Sequence, residues 1–404
     1  MKIGILSYHW VANFGANLQV LSTVNYITKL GYEAIVINWI PIDLEQIYIN
    51  RTPEVQIKEH QRFAKQFFIT TKVCRTEFDI AEAIRENSID FVIIGSDTVF
   101  TYKPFLDRIK LCRKGLKYFK PAIDSDFPNP FWGNFIDLVP NIPVAVMSAS
   151  AQNTKYKLIL SGNRKKMFEK ALCKFCYITV RDIWTKKMIN YLTQNKINPK
   201  LTPDPVFAFN LNSPVYLTKE QILNKFNLPE KYILISSGSK IINEKWVKDI
   251  ENIFQKKEYT LVELPKTQGL HESSLSHKIR LPLSPIDWYY LIKYAGGYIG
   301  ELMHPIIVCL HNAVPFFSID SYGFKNGSKG NQESSKIYQI LSKFVLLSNY
   351  YSLINKDPFP SPEIVYSLIN NFDQQKCISK SNSIYEEYSN MMEELFQCCM
   401  ANRK

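Results

Sequence analysis

The pair His304-Pro305 is where residue type and position point most directly to chemistry in this sequence. An imidazole titrates near neutral pH, so it can give or take a proton under ordinary conditions. The run from Tyr298 to Asp320 predicts its setting. Tyr298 and Ile299 read as a short buried strand, Gly300 breaks it, His304 sits at a helix cap, and Pro305 takes the first helical position, where its missing N–H goes unused. Residues 306–312 continue as an apolar helix and residues 314–319 as the next strand. Helix entrances in such units gather free N–H groups and partial positive charge, so an acid/base group here stands beside an anion site. A plain capping residue at a tight turn leaves the same pattern.

Other chemistry-bearing residues recur at predicted strand ends. Arg181 closes Tyr177-Ile-Thr-Val-Arg-Asp182 and reads as a cation at a ligand crevice, or as the ion-pair partner of Asp182 or Asp204. Asp97, after Gly95-Ser96, offers a carboxylate to orient or activate a hydroxyl, or simply stabilises a turn. Ser236-Ser-Gly238-Ser239 followed by Lys240 suits a phosphate cradle of amides and hydroxyls, or an ordinary strand-helix turn. Lys266 holds the same place in the next unit. Asn13-Phe14-Gly15-Ala-Asn17 is a glycine turn into the first helix. Its amides and asparagines, with His9 at the first strand's exit and Ser96, make one candidate binding group, and a helix cap is the simpler reading. Its single glycine fails the dinucleotide fingerprint, which needs several. Glu301 is close enough in sequence to orient His304, whereas His311 should pack and His60, His271 and His277 read as surface residues.

These residues must be held by alternating strands and helices, which predict an α/β protein with two doubly wound sheets facing a cleft. The polar, proline-containing stretch 210–217 is the expected linker. It divides the chain into an N-terminal domain, 1–212, with a basic insert at 101–140, and a C-terminal domain, 213–404, ending in helices. A Gly-, Ser- and Asn-rich stretch, 323–333, predicts a mobile loop.

Composition narrows the partners. The 404 residues fit two domains, and 49 basic against 37 acidic residues give a net charge of +12, which favours anions. Lys103 to Lys120 is rich in cations and apolar residues, yet no zinc-finger, helix-turn-helix or RNA-binding signature accompanies it, so nucleic acid is not expected. A membrane surface or an anionic substrate is the preferred attraction. With no stretch of eighteen apolar residues and no signal-peptide pattern, the expected location is cytoplasmic. The eight cysteines should then be mostly reduced, and Cys173-Lys-Phe-Cys176 lacks the second pair of a zinc site. No metal is expected.

The ordered blocks carry a resemblance. Ile5 through Gln19, Gly31-Tyr32, Ile35 to Asn38, Asp90 to Asp97, Thr179-Val-Arg-Asp182, Pro203-Asp-Pro205, 284–295 and Gly300 to Asp320 together resemble polysaccharide pyruvyl transferases. The resemblance implies two Rossmann-like domains in a GT-B-like layout and transfer of the enolpyruvyl group of phosphoenolpyruvate onto a sugar. The product it implies is a ketal on a lipid-linked oligosaccharide or polysaccharide repeat unit, made without a cofactor, with the inner membrane face as the expected place. His304 would be the acid/base, Arg181 a donor contact, and Ser236 to Lys240, Lys266, Glu301, Leu302, Met303 and Pro305 the donor side. His9, Asn13, Phe14, Gly15, Asn17 and Ser96 would serve the acceptor. The family typically has a basic residue two places before the histidine, where this chain has Leu302. Either another cation replaces it, or the residue is altered, or the chain is a weakly active or repurposed member. A nucleotide-sugar glycosyltransferase of the same layout is the alternative reading.

Overall fold

A computed structural model describes residues 1–113, 115–236, 242–270, 274–320, 335–353 and 358–403. Gly238, Ser239, Lys240, His271 and the predicted loop 323–333 lie outside the described residues.

Two parallel sheets organise the chain. The first is built from β1 (Lys2–Leu6), β2 (Glu33–Val36), β3 (Ile69–Thr70), β4 (Phe91–Asp97), β7 (Val144–Ala149), β8 (Tyr177–Val180) and β9 (Lys200–Leu201), with β5 (Ile109–Cys112) and β6 (Gly115–Tyr118) forming a separate antiparallel hairpin. Its order is β3-β2-β1-β4-β7-β8-β9. The second uses β10 (Tyr232–Ser236), β11 (Thr260–Glu263), β12 (His277–Lys278), β13 (Gly297–Gly300), β14 (Phe316–Asp320) and β15 (Tyr350–Ser352), in the order β12-β11-β10-β13-β14-β15. All pairings within both large sheets are parallel. Each sheet reverses its winding once, between β1 and β4 and between β10 and β13, and such switch points open a crevice at the strands' carboxyl ends. Asp97 ends β4, and the His304 segment follows β13.

The central strands are apolar on both faces because helices cover both sides; β4 and β7 are buried throughout. The first helix, Phe14–Lys29, begins two residues earlier than its periodicity suggests, since Asn13 Oδ1 caps it by accepting from Ala16 N–H. A short 3-10 turn at Tyr156–Leu158 is followed by the helix Gly162–Leu172, started by the Ser161 cap.

The lobes share one apolar core that joins Ile3, Phe14 and Leu18 of the first to Trp288, Tyr289 and Ile306 of the second. Phe14 stacks on Trp288 with ring centroids 5.3 Å apart. Gln56 adds two hydrogen bonds to the backbone of Leu283 across the same boundary. The terminal helix, Gln374–Ala401, also bridges the lobes: Cys377 and Ser381 donate to the Leu310 carbonyl, and Glu394 accepts from Tyr177 at β8.

Candidate active site

The first lobe brings a cation and two carboxylates together from distant parts of the chain. Arg181 follows β8, where its backbone N–H reaches Ala149 O at the end of β7. Its buried guanidinium donates from Nη2 to Asp97 Oδ1 (2.9 Å) and from Nη1 to Asp204 Oδ2 (2.5 Å). Both readings of Arg181 thus meet in one place, because the ion pair with Asp204 is itself part of the cluster. Asp204 Oδ2 also accepts from Gln19 Nε2 at 2.6 Å, and its Oδ1 takes the Val206 N–H, capping the turn Pro205–Ala208. Burial alone would raise the pKa of Asp97. The positive charge of Arg181, aided by His304 and Lys336, outweighs it and holds that carboxyl below its ordinary value. Asp97 has φ +81, a left-handed conformation that a non-glycine residue adopts at a cost of about 1–3 kcal/mol.

The second lobe supplies the His304 imidazole. Its helix runs Met303–His311 with Leu302 as the N-cap and no side-chain capping bond. His304 therefore stands in the first turn rather than at the cap, and Pro305 is third rather than first. The proline still fits, because the first four N–H groups of a helix lack intrahelical partners. His304 Nε2 lies 3.9 Å from Asp204 Oδ2 and has no hydrogen-bond partner. The opposite edge of the ring abuts Gly15, where a Cβ would fall 2.1 Å from Nδ1. Burial pushes the imidazole pKa down; Asp204 and Asp97 pull it up without cancelling that effect, and Arg181 and Lys336 add to the lowering.

Lys336 completes the cluster. It is the first residue of the helix Lys336–Phe344, whose Ser335 cap also donates to Asp320 at the end of β14. The lysine is half-buried, and burial, followed by the nearby Arg181 charge, lowers its pKa to about 8. It makes no ion pair or hydrogen bond with any described residue. With Arg181, Asp204, Met303, Thr202 and Gln339 it lines a cavity of about 440 Å³, whose farther wall is apolar. That volume suits a small ligand. The arrangement can hold an anion on a cation that makes no ion pair with a described residue, with the His304 imidazole close to Asp204 of the same lining.

Other predicted residues are not among those lining this cavity. His9 is buried, with Nδ1 on Ser7 O and Nε2 on Asn38 Oδ1, so it does not line the cleft. Asn17 Nδ2 donates to His9 O, and its Oδ1 meets His60 Nδ1 at 2.5 Å. His60, expected at the surface, is buried by this contact and by the ring of Phe14. Ser96 Oγ donates to Ser148 O, which ties β4 to β7. Ser236 is buried at the end of β10, and Glu301 is half-buried directly after β13. Lys266 turns back through backbone bonds to Gly269 and is not among the cavity's lining residues. Among the described residues, no group of three or more His, Cys, Asp or Glu is placed to hold a metal, and no helix is long and apolar enough to cross a membrane.

Sequence reasoning missed Lys336 and Gln19 and treated Asp204 only as a counter-ion. A signal for Lys336 exists: a cation at the positive end of a helix is unfavourable and calls for a reason.

The family model for polysaccharide pyruvyl transferase matches residues 13–322, which covers most of the chain and includes Gly15, Asp97, Arg181, Asp204 and His304. The chain belongs to that family. As a polysaccharide pyruvyl transferase it is a member of an enzyme family, and Lys336 lies beyond the matched span. No curated protein matches it. Among solved structures, Arabidopsis thaliana UGT89C1 complexed with quercetin is 9% identical with a TM-score of 0.50, covering 98% of this chain and 99% of its own. UDP-GlcNAc 2-epimerase from Neisseria meningitidis bound to UDP-GlcNAc is 10% identical over 98% of this chain and 100% of its own, with a TM-score of 0.49. The spinosyn forosaminyltransferase SpnP is 8% identical over 99% of each chain, with a TM-score of 0.46. The pyruvyl transferase has the two-lobed GT-B architecture, and at these identities the likeness shows the fold alone.

Proposed function

We propose that this pyruvyl transferase takes phosphoenolpyruvate as donor and places its pyruvyl group as a ketal on two hydroxyls of a sugar in a lipid-linked surface polysaccharide precursor. The observation that carries this reading is Lys336, a half-buried cation with no ion pair or hydrogen bond to a described residue, which lines one cavity with Arg181 and Asp204, while His304 stands 3.9 Å from Asp204. Asp97 and Asp204 more than offset the single charge of Arg181. Lys336, with the free N–H groups of the Met303–His311 helix, therefore supplies the attraction for phosphate and carboxylate.

The donor anion favours the imidazolium form, so His304 gains a proton as the donor binds. That proton goes to the terminal methylene, which becomes a methyl group and leaves an oxocarbenium centre at the neighbouring carbon. The first sugar hydroxyl adds there and returns its proton to His304. The C–O bond to phosphate then breaks, a second oxocarbenium forms, and the second hydroxyl closes the ketal while its proton leaves with phosphate. Asp97, anchored by Arg181, accepts a hydrogen bond from the attacking hydroxyl.

The test incubates the protein with phosphoenolpyruvate and a panel of galactose- and mannose-containing lipid-linked acceptors. The expected product is heavier by pyruvic acid less one water, with release of phosphate. Absence of product across the panel together with absence of phosphoenolpyruvate binding in calorimetry defeats the reading. Binding of a nucleotide diphosphate sugar instead would establish the glycosyltransferase alternative.

A further inference from the structure

The insert between β4 and β7 presents an apolar feature that is exposed among the described residues. Its hairpin pairs Ile109 with Tyr118, Lys110 with Lys117, Leu111 with Leu116 and Cys112 with Gly115. Alternation along a strand puts Leu111 and Leu116 together on one face and the two lysines on the other. Leu111 is 83% and Leu116 76% exposed, the two most exposed large hydrophobic side chains among the described residues. Phe105, Leu106 and Phe119 are exposed around the same hairpin. A two-stranded ribbon is marginal in water by itself, so its exposed apolar pair gains from burial against another surface.

The surrounding charge has one sign. Lys103, Lys110, Arg113, Lys117 and Lys120 are exposed, and none makes an ion pair with a described residue. Lys110 and Lys117 lie over the Phe119 ring, 5.1 and 5.4 Å from its centre. The nearest acidic residues are engaged: Asp107 with Lys155, Asp126 with Arg108, and Asp124 with Tyr8. The base is rigid, since Arg108 is buried and also donates to Lys103 O. The turn Phe105–Arg108 packs against the turn Tyr156–Leu158, which follows the carboxyl end of β7. The hairpin is thus fixed at the edge of the sheet where Asp97 and Arg181 stand.

We propose that this hairpin seats the protein on an anionic lipid bilayer, with Leu111 and Leu116 entering the interface and the lysines meeting headgroup phosphates. Apolar side chains flanked by cations match the chemistry of that surface, where the former bury and the latter remain at the charged plane. Docking at this edge turns the cleft toward the membrane. The inference holds whichever donor the cleft takes.

Flotation of the full chain with vesicles tests it. Vesicles of phosphatidylglycerol mixed with phosphatidylcholine should carry the protein upward, and phosphatidylcholine alone should not. High salt should release it. Leu111→Ser with Leu116→Ser should lower partitioning at least about tenfold. Lys110→Gln with Lys117→Gln should lower it about thirtyfold, near fivefold per charge removed. Both variants should keep the wild-type melting curve, because the altered side chains are exposed. The proposal is overturned if the wild-type chain stays at the bottom of the gradient or if the leucine variant floats equally well. It is equally overturned if the leucines hold two copies together, seen as a dimer that becomes a monomer in the variant without vesicle binding by either. Tight binding to a DNA or RNA duplex in place of vesicles also refutes it.

Discussion

The ring of His304 occupies the space that a side chain at residue 15 would need. A Cβ on Gly15 would lie 2.1 Å from both Nδ1 and Cγ. The backbone at residue 15 is ordinary helix, so glycine serves contact between the lobes and not an unusual torsion. Alanine favours a helix over glycine by up to about 1 kcal/mol, so Gly15→Ala does not weaken the helix itself. The substitution should displace the imidazole and cut pyruvyl transfer about 10²-fold, since displacements near 1 Å reach that size. Circular dichroism should show an intact fold beside the loss in steady-state kinetics.

Lys336 should do for donor binding what a cation at residue 302 would otherwise do. Lys336→Gln should weaken phosphoenolpyruvate binding by about 2–5 kcal/mol in calorimetry. Lys336→Arg should retain most of it. Adding Leu302→Arg to the Lys336→Gln protein should restore binding if the two positions serve one anion. A large gain from Leu302→Arg alone would instead mark the natural chain as a weakened enzyme.

Donor binding should take up protons in two pH windows. Burial holds free His304 below its ordinary pKa of about 6.5, so it is neutral at pH 7 and gains a proton when the anion arrives. Lys336, at about 8 in the free protein, is mostly charged at pH 7 and contributes uptake increasingly as pH approaches and passes that value. Calorimetry in buffers of different ionisation enthalpy measures both. Lys336→Gln should remove the upper window, and His304→Gln the lower one along with about 10²–10⁴-fold in turnover.

Removing Arg181 leaves two buried carboxylates facing each other. Arg181→Ala should destabilise the fold by about 3–5 kcal/mol in urea unfolding. Arg181→Lys should recover only part, because one ammonium does not reproduce a fork reaching both Asp97 and Asp204. The stabilisation from Asp97 is full above the ordinary carboxylate range and is lost as pH falls through its lowered folded value. Wild-type stability should therefore drop steeply in that acidic window, and the drop should flatten in Arg181→Ala.

The alternation of strand and helix was legible because buried parallel strands are continuous apolar runs, as in Phe91–Asp97, and because caps such as Asn13 and Asp182 mark helix starts. The placement of Asp97, Arg181 and His304 followed from the rule that strand ends face the crevice. What stayed hidden depends on contacts distant in sequence. His9 looks open at a strand exit until Asn38 and Asn17 surround it. His60 looks exposed on a polar helix until Phe14 and Asn17 close over it. Lys336 follows a stretch that reads as a loop, and no local pattern reports that its helix begins opposite Arg181.

The terminal helix Gln374–Ala401 sets an order on synthesis. Phe396 packs against Phe91 of β4 with ring centroids 5.3 Å apart and against Tyr32, and Cys398 donates to Cys176 O beside β8. One face of the first sheet therefore waits for residues made well after it before it is covered. A nascent chain stopped near residue 212 would hold an assembled sheet with a bare apolar side, the kind of surface chaperones bind. The first lobe is made before the second but is completed only after it.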